Sequence, residues 1–258
     1  MAERLIDAHI HLDHYNDDEI ASLLTEDVEA LVSVSMNLES CKRNLALAEK
    51  FPKVKPTFGY HPEQPLPTEQ EFEQLISWMT VHQEKMVAIG EVGLPYFLRA
   101  EQQITPQQYS QYIELLEVFL KLAKKWDKPI ALHAVYSDAP VVCNLLEKHS
   151  ITRAHFHWFK GDRLTTQRMM KNGYFVSLTP EVVMDDQDNL DLVQIYPIDQ
   201  IMLESDGPWP YEGPFIGKRT CPVMIKESLK KIAEIKELSM DQASSQIRAN
   251  TKGFYRLT

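Results

Sequence analysis

Cysteine is scarce in this chain of 258 residues: Cys41, Cys143 and Cys221 lie far apart and form no CxxC pair. That usage excludes a paired-thiol motif and fits inert thiols in a reducing cytoplasm, the expected location. Glycine and proline are also few, 9 and 15, which excludes a low-complexity chain. Basic residues are outnumbered, 27 against 37 acidic ones, for a net charge of −10. This argues against non-specific wrapping of nucleic acid but leaves room for a nuclease with a small local basic patch. No apolar run approaches the roughly 18 residues of a membrane span. The opening Met-Ala-Glu-Arg-Leu-Ile-Asp has no signal-peptide apolar segment. What is present is ordinary for a globular chain, 44% apolar and 25% charged residues, enough for one sizeable core.

Short, often β-branched apolar runs alternate with amphipathic stretches. The runs are Leu5–His9, Ala30–Met36, Val54–His61, Met86–Leu94, Pro129–Val135, Arg153–Phe159, Tyr174–Pro180 and Gln200–Asp206, and each reads as a strand buried on both faces. Between them, Thr68 and Glu71 form a capping box ahead of Phe72, Leu75, Ile76 and Met79. Thr105 is an N-cap with Pro106 at the first helical position. Leu38–Phe51, Ser137–His149 and Lys226–Glu237 also read as helices, and Ser239 with Gln242 caps another. Eight strand–helix units with no linker between them predict one domain over residues 1–258, a TIM (β/α)8 barrel of the α/β class; an open doubly wound sheet is the rival. The Pro- and Gly-rich stretch Pro208–Pro222 reads as an ordered active-site loop.

In such a barrel the active site lies at the C-terminal strand ends, so the residues closing each run matter. They include His9 and His11, His61, Glu91, His133, His155 and His157, and Glu204 with Asp206. His9 and His11, two apart, point the same way from an extended chain. Imidazoles and carboxylates converging on one mouth suit divalent metal, and the set exceeds what one tetrahedral ion needs. Two ions sharing one carboxylate would use it fully and would suit hydrolysis. Taken singly, each has a plainer reading: Glu91 a barrel ion pair, His133 a core histidine, His61 a turn former. For His155 the core reading is preferred, and Glu204 reads as a support for a ligand histidine. Tyr112, Phe119 and Trp126 read as helix packing. The loop aromatics Trp209, Tyr211 and Phe215 could line a substrate groove or a subunit contact, and stacking bases would require them to face the mouth.

The segments Asp7-Ala8-His9-Ile10-His11-Leu12, Gly59-Tyr60-His61-Pro62, Gly90-Glu91-Val92-Gly93-Leu94, His133, His157-Trp158-Phe159-Lys160-Gly161 and Glu204-Ser205-Asp206-Gly207-Pro208 span nearly the whole chain. In order and spacing they resemble the TatD family of metal-dependent hydrolases, and the late Asn250-Thr251 resembles its closing motif. The resemblance implies a two-metal TIM barrel. His9, His11, Glu91 and Asp206 would hold one ion; Glu91, His133 and His157 would hold the other, with Glu91 bridging. Glu91 and Asp206 would be the catalytic carboxylates, Asp206 also the general base that orients water. Related amidohydrolases often bridge their metals with a carboxylated lysine, but no lysine lies between Met86 and Leu98. Family members are described as magnesium-dependent DNases, some acting on single strands, and others are linked to ester hydrolysis on aminoacyl-tRNA.

The chain departs from the family pattern in two places. Gly93-Leu94-Pro95 stands where Gly-Leu-Asp is common, and His133-Ala134-Val135 where His-x-Arg is common. The missing arginine removes a good phosphate ligand. Lys160, with Lys218 or Arg219, is a candidate replacement grip, and His61 a further substrate contact; solvated rim charges are the plainer reading. The leading expectation is therefore a deoxyribonuclease that uses two divalent ions, with single-stranded DNA as substrate. A hydrolase of a small ester, amide or phosphoester is the second reading, and a non-catalytic metal-binding barrel the third. Imidazole ligands suit Zn, Mn, Fe, Co or Ni better than Mg.

Overall fold

The computed structural model describes residues 4–184 and 186–258. Its strands are β1 (Leu5–Ile10), β2 (Val28–Ser33), β3 (Val54–Phe58), β4 (Ala88–Gly93), β5 (Ile130–His133), β6 (Ala154–Phe156), β7 (Phe175–Leu178) and β8 (Ile201–Leu203). All seven neighbouring pairs are parallel and follow chain order, β1 to β8. The first strand meets the last through two backbone bonds, Asp206 N–H to the His9 carbonyl (3.0 Å) and His11 N–H to the Gly207 carbonyl (2.8 Å). The result is a nearly closed TIM barrel, as the rhythm of the runs predicts; the open-sheet rival does not hold.

The helices are α1 (Asp17–Leu23), α2 (Leu38–Lys50), α3 (Glu69–His82), α4 (Tyr96–Ala100), α5 (Pro106–Trp126), α6 (Ala139–Lys148), α7 (Arg163–Lys171), α8 (Gln187–Ile195), α9 (Ile225–Ile235) and α10 (Met240–Tyr255). Side-chain caps start many of them. Reciprocal capping boxes pair Thr68 with Glu71, Thr105 with Gln108, and Ser239 with Gln242. The main core lies between strands and helices, where Phe58, Ile89 and Leu132 pack with Leu116, Phe119 and Leu146. Tyr112 is also buried, and its hydroxyl donates to the Gln64 carbonyl (2.6 Å), so it and Phe119 serve packing.

A smaller cluster joins Ala8, Val32, Ala88 and Met202 to Phe254 and Tyr255 from the end of α10. The Tyr255 hydroxyl donates to the Ala8 carbonyl (3.2 Å) and lies 2.7 Å from His155 Nδ1. One glycine is dictated by strand spacing. A Cβ on Gly93 would stand 1.9 Å from the His133 carbonyl oxygen, so β4 and β5 approach closely only because position 93 has no side chain. No described helix is long and apolar enough to cross a membrane.

Candidate metal centre

Alternation along β1 puts Asp7 and His9 on one strand face, and His11 follows two residues on, just past the strand end. Glu91 is fully buried, and its two oxygens face two different groups of rings. Oε2 lies 3.1 Å from His9 Nε2 and 3.5 Å from His11 Nε2. Oε1 lies 2.9 Å from His157 Nε2, 3.2 Å from His133 Nδ1 and 3.2 Å from His61 Nε2. Asp206 Oδ1 completes the first group, 3.7 Å from His9 and 3.6 Å from His11. A central carboxylate with one oxygen toward each group has the shape that two cations sharing a ligand require.

Metal-free chemistry explains this cluster poorly. Both ring nitrogens of His9, both oxygens of Glu91, Nδ1 of His11 and Oδ1 of Asp206 are buried without a hydrogen-bond partner. Such groups are costly when left unpaired. Ligand atoms of the cluster gather into three overlapping sets within coordinating reach: His9, His11 and Asp206; His9, Glu91 and His157; His61, Glu91 and His133. Nitrogen and oxygen donors converging in this way fit divalent transition ions.

Charge in the centre is shared. Burial disfavours charge on Glu91, yet the facing rings of His61, His157 and His9 hold its carboxyl well below the usual range. Burial also opposes charge on Asp206, while His11 holds that carboxyl below its ordinary value. His157 is pushed the other way: against burial, Glu91 and Glu204 raise it well above an ordinary histidine. Burial and His157 lower His9.

The supporting residues lie one layer deeper. Glu204 Oε1 accepts the Trp158 N–H (2.7 Å) and lies 3.6 Å from His157 Nδ1. Its Oε2 accepts from the Ser177 hydroxyl, and Ser177 Oγ is 2.6 Å from His155 Nε2. His155 therefore sits in the core, between Ser177 and Tyr255, and belongs to none of the three donor sets. Asp7 Oδ1 accepts the N–H of Ser205 (2.9 Å) and of His9 (3.2 Å), tying β1 to the end of β8; burial pushes its carboxyl up to about 7.

Glu63 is a contact that sequence reading did not single out. Its Oε1 is 3.3 Å from His133 Nε2, and its oxygens accept the N–H groups of Phe97 (2.8 Å) and Leu98 (2.9 Å). Only its place two residues after His61 could have pointed to it. His61, read as a substrate contact or turn former, stands directly against Glu91.

The candidate phosphate grip has other partners. Lys160 Nζ donates to Glu181 (2.9 Å) and Asn189 (2.6 Å). Lys218 donates to the Pro214 carbonyl (2.9 Å). Arg219 pairs with Glu19 (3.0 Å) and lies over the Tyr15 ring. Of the loop aromatics, Phe215 is buried, and the Tyr211 hydroxyl donates to the Ser205 carbonyl (2.8 Å). Trp209 alone of the three is exposed, with its ring 5.8 Å from that of His11.

A family model described as TatD related DNase matches residues 6–256. The chain belongs to the TatD family. Among similar proteins, an uncharacterized metal-dependent hydrolase of Haemophilus influenzae is 40% identical over 98% of this chain and 100% of the relative. The human deoxyribonuclease TATDN3 is 29% identical over 92% of this chain and 89% of its own length. The crystal structure of YjjV, a TatD homolog from Escherichia coli K12, superposes with a TM-score of 0.88 at 26% identity, covering 100% of both chains. These likenesses make this protein a TatD-family metal-dependent hydrolase with a barrel shared by its relatives.

Proposed function

We propose that this TatD protein is a deoxyribonuclease that cleaves phosphodiester bonds in single-stranded DNA, working as one domain in the cytoplasm. The observation that carries the reading is Glu91, whose oxygens divide between the His9–His11 and His133–His157 sides. His9, His11, Glu91 and Asp206 would hold one ion, and Glu91, His133 and His157 the second. Divalent ions bound there supply positive charge that makes water more acidic and stabilises charge on phosphoryl oxygens.

The chain's own groups do the remaining work. Glu91 is wholly buried and stays ionised among the rings, so it serves as a fixed ligand rather than a proton carrier. Asp206 is 14% exposed and lies at the rim of the same cluster. It sits at φ 46°, a left-handed conformation that costs an L residue about 1 kcal/mol or more. From the rim, its carboxylate would accept the proton of the attacking water. Glu204 holds the His157 ring from behind, and Glu63 does the same for His133.

A second reading, hydrolysis of a small carboxylic ester, amide or phosphoester, is favoured by the engaged state of Lys160 and Arg219. The test reloads metal-stripped protein with manganese, zinc or magnesium. Each form is offered a labelled single-stranded oligonucleotide beside small phosphoesters and carboxylic esters, with Asp206→Ala as control. Metal-dependent DNA cleavage that disappears in the control is the expected result. Turnover of a small ester without DNA cleavage would replace the first reading by the second.

A further inference from the structure

Trp209 has the exposure and the position of a recognition surface. It is 43% exposed, the largest aromatic side chain so placed among the described residues. Its ring lies 5.8 Å from His11 and 5.7 Å from His14, beside one side of the metal centre. Packing does not account for it as it does for Phe215, which is buried a few residues further along.

The backbone under the indole is stiff. Pro208 and Pro210 flank it, and each fixes its own φ. The Trp209 N–H donates to the Asp206 carbonyl (3.3 Å), and the Trp209 carbonyl accepts the Thr220 hydroxyl. Gly207 lies against Tyr15, where an added Cβ would meet the hydroxyl at 2.2 Å. A flat ring held in place loses little freedom when a ligand stacks on it.

The His133 side of the centre is also aromatic. Phe97 stands 6.2 Å from His133, and Trp158 stands 6.1 Å from Phe97. Three cations near the mouth are engaged elsewhere: Lys160 by Glu181 and Asn189, Arg99 by Asp138, Arg219 by Glu19. A site walled by flat rings, with Lys160, Arg99 and Arg219 already paired, recognises π surface better than backbone charge.

We propose that Trp209 stacks an unpaired nucleobase of the substrate beside the metal centre, an inference that rests on the deoxyribonuclease reading above. Base stacking makes the enzyme choose single strands, whose bases are free, over duplex, whose bases are already stacked.

The test follows the anisotropy of a dye-labelled short oligothymidylate as metal-stripped protein is added, so binding is read without turnover and without the indole that the variants replace. A strand of the same length made of base-free deoxyribose phosphate is the comparison, and Trp209→Leu and Trp209→Phe are the variants. The indole is exposed, so both variants should fold, which a thermal melt checks. Oligothymidylate should bind the wild type, bind Trp209→Leu about tenfold or more weakly, and recover most of its affinity in Trp209→Phe. The base-free strand should bind weakly and be indifferent to the substitution. Equal binding of both strands to the wild type, or equal binding of oligothymidylate to wild type and Trp209→Leu, would overturn the proposal. So would p-nitrophenyl phosphate competing at the same concentration as the oligonucleotide, which would assign the ring to small aryl esters. Parallel assays of the reloaded enzyme keep the two ideas apart. DNA cleavage unchanged in Trp209→Leu sinks the stacking role alone, whereas absence of DNA cleavage by the wild type sinks the deoxyribonuclease reading.

Discussion

The imidazoles of His9 and His157 lie face to face, their centroids 3.9 Å apart and their planes 10° from parallel. One ring comes from β1 and the other from the residue after β6, and each points its Nε2 at a different oxygen of Glu91. Removing that carboxylate should undo both halves of the centre. Glu91→Gln is expected to lower turnover about a thousandfold or more, the equivalent of several kcal/mol of charge stabilisation. Metal content by elemental analysis should fall with it. A variant that keeps full metal content and full turnover would sink the shared-ligand geometry.

His155 gives the opposite expectation. Its ring is held by Ser177 and Tyr255 in the core, outside the three donor sets. His155→Gln should leave the number of bound ions unchanged while the melting temperature falls by several degrees, as expected for a disturbed buried hydrogen-bond chain. Loss of an ion in this variant would instead make His155 a ligand.

The close approach of β4 and β5 yields a stability prediction. Gly93→Ala would set a methyl group 1.9 Å from the His133 carbonyl oxygen, and the backbone must separate to admit it. Overpacking of this kind costs about 3 kcal/mol or more when backbone is the obstacle. A urea midpoint equal to that of the wild type would contradict the register between these strands.

Binding to single-stranded DNA should depend only weakly on salt. With Lys160, Arg99 and Arg219 already paired, few phosphates can be neutralised. The slope of log affinity against log salt should therefore be shallower than about −2. A steeper slope would mean that the rim pairs open to grip the strand.

The buried thiols should be inert. Burial pushes Cys41 and Cys143 up to about 12, so at pH 8 nearly all of each is the unreactive thiol. Both are fully buried. Iodoacetamide at pH 8 should leave them unlabelled in the native protein and label them after denaturation. Native labelling of either would contradict the core packing around it.

Much of this is legible in the sequence, for a physical reason. The barrel brings strand ends to one mouth, so the identity of the last residues in each apolar run, from His9 to Asp206, carries most of the centre. The supports were harder to read. Glu63 acts from a loop through amides of α4, and Arg99 of that same short helix meets Asp138 at the start of α6; neither pairing leaves a periodic trace. Short helices were also silent. In α7 the buried face is Thr165, Thr166 and Met169, too polar to register as an apolar stripe. The apolar run at β2 begins two residues later than the strand itself, because Glu29 interrupts it.

The bond between the His9 carbonyl and the Asp206 N–H also sets an order of events during synthesis. His9 and His11 leave the ribosome early, and Asp206 follows nearly two hundred residues later. The proposed seat for the first ion is therefore incomplete through most of translation. The two histidines that emerge first wait for a carboxylate from the far end of the barrel, and loading of that seat would be a late step that reports a finished fold.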